Sequence, residues 1–223
     1  MDFARYARLE QLERDWTGCF RCPLASLRSR VVFGKGSIGA PIMLIGEAPG
    51  KDEDEGGEPF IGKAGELLDK ILAAVGLTRD QIWISNTCLC RPKSEEEGRE
   101  NRAPLVEEIE SCRPRLIEEI DIVKPRIIVL CGNTPLFWAT GLKGISKNRG
   151  KLELTIRTPS HTVEKIFATY HPAALFHGSE AAIKDKKWAV FRDWQTIKGA
   201  LLEQQDPQDE ECSKENPVNA SNP

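Results

Sequence analysis

No segment of this 223-residue chain approaches the ~18 consecutive apolar residues that a membrane-spanning helix needs. Its first fourteen residues are charged and amphipathic, without the apolar stretch of a secretory signal. Neither a membrane-spanning nor a secreted protein is expected. A disulfide framework is missing too, since the seven cysteines are odd in number and unevenly spaced in a chain too large to need stapling. The remaining reading is an intracellular, cytoplasmic protein with free or ligand thiols. No internal repeat is visible, and no strong charge of one sign, the formal net charge being −3. The acids gather at the C-terminus, where Glu203, Asp206, Asp209, Glu210, Glu211 and Glu215 face only Lys214. Upstream the chain is weakly basic, which by itself does not establish a nucleic-acid partner. Beyond Leu202 almost no large apolar residue offsets the entropy of ordering. The expectation is one domain of residues 1–202 followed by a disordered acidic tail, 203–223.

Short apolar runs at 41–45, 81–85, 126–130 and 165–169 read as buried strands. Between the first two, Leu67, Leu68, Ile71, Leu72 and Val75 recur at helical spacing, with Gly76 placed to end the helix. A second helical stretch covers 105–123, and Pro114 inside it predicts a kink or break. A third covers 133–140. Residues 151–157 alternate like half of a hairpin, and 180–202 read as a long closing helix anchored by Trp188, Phe191 and Trp194. This alternation predicts an α/β fold, a three-layer sandwich with a central four-stranded parallel sheet.

Ligands of such sheets bind beyond the carboxyl ends of the strands. Just past each run stand Gly46-Glu47-Ala48-Pro49-Gly50, then Asn86, then Gly132-Asn133, then His171-Pro172. Small residues, a carboxylate, an amide and an imidazole thus converge on one edge. Separately, Cys19-Phe20-Arg21-Cys22-Pro23 is a Cys-x-x-Cys-Pro element, and Cys90 and Cys112 each stand two residues before a proline. A nearby proline restrains a ligand loop, and four thiolates can hold either structural zinc or a [4Fe–4S] cluster. Zinc sites usually come as two close pairs, so the split spacing favours the cluster. Cys131 reads as a core thiol and Cys212 as a free one, while Cys88 competes with Cys90.

The ordered set Gly46-Glu47-Ala48-Pro49-Gly50, Pro59-Phe60-Ile61-Gly62-Lys63-Ala64-Gly65, Asn86 before Cys90-Arg91-Pro92, and Tyr170-His171-Pro172-Ala173-Ala174-Leu175 resembles the family 4 uracil-DNA glycosylases. The resemblance runs from about Cys19 to Trp194. It implies an iron–sulfur enzyme that cuts the glycosidic bond of uracil in single- or double-stranded DNA for base excision repair. No interface motif is visible, so a monomer is the expectation, and acting on DNA it would work at the nucleoid. In that family the flipped uracil stacks on the residue here numbered Phe60, Asn86 reads its pairing edge, and His171 stabilises charge at O2. The resemblance places Glu47 at the sugar, with Gly46 and Ala48 lining the pocket. It makes Glu53 a guard against thymine's methyl group and Leu175 the wedge that fills the emptied stack. It implies Cys19, Cys22, Cys90 and Cys112 as cluster ligands. Related family 1 enzymes carry an aspartate where Ala48 stands, which leaves open the group that activates water. The basic residues Lys143, Lys147, Arg149 and Lys151 read either as a phosphate clamp or as ordinary surface. The acids at 52–55 read as a solvated face, and the loop 93–101 as an acidic departure from the family. An alternative of another class is a protein that traps uracil-DNA without turnover; a third is a nucleic-acid-bound cluster protein without glycosylase activity.

Overall fold

All four apolar runs become strands buried on both faces, as parallel strands covered by helices must be. The computed structural model describes residues 2–94 and 101–203. In chain order it contains α1 (Phe3–Thr17), β1 (Ile42–Gly46), α2 (Lys51–Gly56), α3 (Lys63–Ala74), β2 (Ile82–Asn86), α4 (Val106–Val123) and β3 (Ile127–Cys131). There follow α5 (Asn133–Thr140), α6 (Ile145–Asn148), β4 (Gly150–Leu152), β5 (Ile156–Arg157), β6 (Thr162–Val163), β7 (Lys165–Thr169) and α7 (Glu180–Leu202). Short 3-10 turns occupy Pro23–Ser26, Arg79–Gln81 and Pro172–Leu175.

The main sheet has the order β2-β1-β3-β7-β4. Its first four strands are parallel, as expected, and β4 adds a fifth, antiparallel to β7. The alternating stretch 151–157 is therefore divided: its first residues pair with β7, whereas β5 leaves to form a two-stranded sheet with β6. Alternation reports an extended chain with two unlike faces, but not its partner.

Successive strand residues face opposite layers. Met43, Ile45, Ile128, Leu130 and Ile166 pack with Leu12 and Trp16 of α1, Leu116 and Ile120 of α4, and Trp138 of α5. Ile42, Leu44, Val129 and Phe167 pack with Leu68 and Leu72 of α3 and Trp194 and Ile197 of α7. Among the described residues no helix is long and apolar enough to cross a membrane.

Two details differ from expectation. α4 continues through Pro114 without a break, because Ile109, Cys112, Leu116 and Ile120 bury one face of it on the core and offset one lost main-chain bond. Trp188 is not an anchor of α7. The buried stripe runs through Val190, Trp194, Ile197 and Leu201, and Trp188 lies off it, 55% exposed against the edge of Phe191. The acidic tail with Cys212 and most of the acidic loop lie outside the described residues.

The chain builds β2 on one side of β1 and then returns to place β3 on the other. Helices leaving β1 and β3 diverge there, opening a crevice at their carboxyl ends.

Candidate active site

The crevice is a cavity of about 540 Å³ whose walls include Glu47, Ala48, Glu53, Phe60, Asn86 and His171. Residues as far apart as 47 and 171 meet because four parallel strands end at one edge. Gly46 lies beneath, directly opposite Asn86 across the β1–β2 ladder. A methyl there would strike the Asn86 amide oxygen and come within 2.7 and 2.8 Å of two Phe60 ring carbons. Glycine is thus what lets ring and amide lie over the strand end.

Phe60 has φ of 54°, the left-handed region that a bulky residue rarely occupies. Such strain costs on the order of 1–3 kcal/mol and persists where neighbours enforce it. Here Arg79 Nη2 donates to the Phe60 carbonyl at 2.6 Å, and Gly65 leaves room for that same carbonyl. Glu53 holds the loop from the other side: Oε1 accepts the N–H groups of Ile61 (3.1 Å) and Gly62 (3.0 Å), and Oε2 that of Gly50 (3.0 Å). The solvated face expected for 52–55 is therefore half wrong. Glu53 and Asp54 are buried, and Asp54 accepts the Ser29 N–H at 2.8 Å and pairs with Lys93 at 3.1 Å. Both Glu53 oxygens accept loop N–H groups, so the side chain braces that loop while lining the cavity.

The result is a ring pair, Phe60 and His171, with centroids 5.4 Å apart and planes tilted by 36°. His171 Nδ1 accepts the Ala173 N–H at 3.2 Å, which leaves the ring proton on Nε2 as a donor. Burial pulls its pKa down from 6.5 to about 4, so the imidazole is neutral at physiological pH. Asn86 is 3% exposed, and its Oδ1 has no hydrogen-bond partner among the described residues. A buried unpaired acceptor costs about 1–3 kcal/mol, a debt that a ligand N–H would cancel. Burial also pushes the Glu47 carboxyl above the ordinary range, opposed by a 2.5 Å bond from Thr134 Oγ1.

Thr134 escaped the sequence reading. Its only signal was adjacency to Gly132-Asn133 at the end of β3, and hydroxyls are too common there to be singled out. Arg149 is no free phosphate clamp: it grips Asp193 (2.6 and 3.1 Å) and the Ala189 carbonyl (2.8 Å), leaving Lys143, Lys147 and Lys151 exposed. Leu175 does not line the cavity. It is 3% exposed in the core with Leu68, Leu72 and Trp194, because its 3-10 turn packs onto α3. The apolar side chain this turn presents outward is Phe176, 49% exposed.

A second, small cavity is walled by Cys19, Cys22, Cys90 and Cys112 together with Trp16 and Arg28. α1 delivers Cys19, the turn Pro23–Ser26 starts at Cys22, and α4 carries Cys112. Arg28 Nη1 donates to the Cys19 carbonyl at 2.7 Å and stands 3.5 Å from Cys90 Sγ. Cys88 sits apart from this wall, hydrogen-bonded to Cys112 from deeper in the core. Among the described residues no three such side chains stand closed around a metal position. Four soft thiols from three segments on one cavity, with a cation beside them, nonetheless fit a thiolate-held group. Cys131 is buried, its thiol pushed up to about 12 by desolvation, and it lines the main cavity as well as the core.

Comparison with known proteins decides the family. The model of the Uracil DNA glycosylase superfamily matches residues 33–195. The type-4 uracil-DNA glycosylase of Archaeoglobus fulgidus is 36% identical over 174 residues, covering 76% of this chain and 83% of that protein. That of Saccharolobus solfataricus is 38% identical over 189 residues, 82% of each, and that of Sulfurisphaera tokodaii 38% over 175 residues, 76% of each. This chain belongs to the type-4 uracil-DNA glycosylase family. The match spans the strand-end cavity of the family fold, from β1 to Trp194 of α7.

Two predictions follow from burial. Unfolded, His171 takes up a proton near pH 6.5, whereas folded it resists until about 4. The unfolded state binds more protons between those values, so His171 removes stability as pH falls through that window. Denaturant titrations at pH 7.5 and 4.5 should show wild type losing more than His171→Asn; equal losses contradict the burial argument. Leu175→Ala should cost ~2–5 kcal/mol in the same titration, as a core truncation does; a cost near zero would return Leu175 to the surface.

Proposed function

We propose that this chain removes uracil from DNA by hydrolysing the base–deoxyribose bond, leaving an abasic site for excision repair. The observation that carries the reading is the buried, unpartnered Asn86 amide facing a strained aromatic and a neutral histidine donor in one cavity. A base must leave the helix to reach such a pocket, at a cost of a few kcal/mol. Stacking on Phe60 returns part of that cost.

Asn86 then reads the pairing edge. Its oxygen accepts uracil N3–H and its NH₂ donates to O4. Cytosine presents an amino donor at that position and an unprotonated N3, so both amide groups would be left unsatisfied in a dry site. As the bond lengthens, negative charge gathers on uracil O2. His171 Nε2–H is placed to donate there, and a neutral donor strengthens its bond as that charge grows. Glu47, held by Thr134, faces the sugar, where a carboxylate stabilises oxocarbenium character or orients water. Ala48 brings no second carboxylate, and that of Glu53 is engaged by the 50–62 loop. Gly46 keeps the floor flat, and Glu53 excludes thymine indirectly through the 60–62 loop.

Cys19, Cys22, Cys90 and Cys112 hold a [4Fe–4S] cluster in this reading. When bound, such a group would cross-link the Cys19–Cys22 element, the segment at Cys90 and α4. Residues 1–202 form the single catalytic domain, acting as a monomer on nucleoid DNA, single- or double-stranded.

An end-labelled strand carrying one uracil, treated with alkali after incubation, should be cut at that position. A stable protein–DNA adduct would favour trapping without turnover, and an intact strand would overturn the assignment. Among the variants, His171→Ala should lower kcat by ~10²-fold or more with little change in uracil affinity, the loss expected for one oxyanion donor. Asn86→Asp should lose discrimination against cytosine or lose activity; unchanged selectivity removes it from base reading.

The task of filling the emptied stack passes from Leu175 to Phe176. Phe176→Ala should slow excision from duplex DNA far more than from single strands, where no gap needs filling. An equal effect on both substrates would exclude the wedge.

A further inference from the structure

Beneath the cavity lies an ion pair that the proposed chemistry does not use. Arg115 of α4 is fully buried, and Glu119, one turn later, is 2% exposed. Arg115 Nη2 donates to the main-chain carbonyls of Asn86 (2.7 Å) and Thr87 (3.1 Å). Its Nη1 donates to Ser85 Oγ (3.1 Å) and Glu119 Oε2 (2.5 Å). Glu119 in turn accepts from Trp83 Nε1 (2.9 Å) and Ser85 Oγ (2.7 Å). One pair of opposite charges therefore grips β2 and the residue after it, from Trp83 to Thr87.

That strand end is a platform for more than Asn86. Thr87 N–H and Oγ1 both donate to the Gly46 carbonyl at 2.9 Å, and Cys88 N–H donates to the Glu47 carbonyl at 3.1 Å. Moving the Arg115 fork would move the amide and the carboxylate together. The same helix carries a cysteine of the second cavity, Cys112. Arg115 stands beside Cys112, three residues earlier on α4, and its buried Nε–H has no hydrogen-bond partner among the described residues.

Packing alone does not demand this arrangement. A buried ion pair is weak evidence for stability, and apolar residues of similar volume often replace one without loss. What an apolar pair cannot do is fix two carbonyls at set distances from the helix that also carries Cys112. We propose that Arg115 is a positioning residue that sets the placement of the Asn86 amide against the pyrimidine and couples it to the four-cysteine cavity through Cys112. The inference rests on the uracil reading above and extends it: the cysteine site bears on base recognition through one side chain. Lysine cannot substitute, since a single ammonium does not reproduce a planar fork of donors.

The test uses the full-length protein, with Arg115→Lys and the volume-matched pair Arg115→Met/Glu119→Leu. Free uracil is titrated calorimetrically, and excision is measured on uracil and cytosine strands. Hydrogen exchange at the Asn86–Cys88 amides is compared before and after iron and zinc are stripped by a chelator. The double variant should remain folded, bind uracil about tenfold or more weakly, a loss of ~1.4 kcal/mol, and show a lower uracil-to-cytosine preference. In wild type, stripping should speed exchange at 86–88; in the variants it should not.

Folded variants with wild-type uracil affinity and selectivity would overturn the role of Arg115. So would exchange at 86–88 that ignores metal removal in wild type, a measurement that stands even if both variants misfold. Wild-type protein that neither binds nor excises uracil would instead overturn the functional reading beneath it.

Discussion

Gly46 faces Asn86 across the β1–β2 ladder, and the rest of the cavity is measured from that contact. Because one partner has no side chain, the other's amide and the Phe60 ring can occupy the space above it. A parallel ladder allows no small adjustment, since a slip of one residue would turn the amide to the other face of the sheet. Register thus sets the height of the Asn86 amide in the cavity, and loops bring the other groups to that height.

Those loops are held by bonds that spend charge on backbone. Glu53 closes the 50–62 segment through three N–H groups, Arg79 holds the strained Phe60 carbonyl, and Thr134 restrains Glu47. The site is costly in isolation: a left-handed phenylalanine, an unpaired buried amide oxygen, a desolvated histidine and a carboxyl raised by burial. A ligand N–H would satisfy the amide oxygen, while the strain at Phe60 is held in place by its neighbours, which is how preorganised sites differ from ordinary core. The same burial that weakens His171 as a base keeps it a neutral donor, with its Nε2 proton directed by the Ala173 N–H on the far nitrogen.

The cysteine cavity lies on the α1–α4 side of the sheet, away from the strand-end opening. It gathers segments that are far apart in sequence and have little regular structure of their own between Gly18 and Pro41. Asp54 links that region to the loops that line the main cavity through Ser29 and Lys93, and Arg115 ties α4, which carries Cys112, to β2. A thiolate-held group there would stiffen both links at once.

Much of this was legible in the chain. Four apolar runs gave four parallel strands within a residue of their bounds, and reading just past them found Glu47, Asn86 and His171, because strand-end positions follow from the topology of parallel sheets. The proline-flanked cysteines picked out Cys19, Cys22, Cys90 and Cys112, which share one cavity. Local pattern failed where partners lie far away. It could not tell that residues 151–157 would divide between two sheets, that Leu175 would turn inward while Phe176 turned out, or that Trp188 would miss the buried stripe of α7. Nor could it show Glu53 bound to three backbone groups, since an acid amid acids reads as solvated. Hydrophobic period and strand-end chemistry are properties of neighbours in sequence, so the residues alone determined the fold class and the edge where the cavity opens. Orientation, burial and hydrogen-bond partners depend on groups brought together from across the chain, and those the packed structure alone decided.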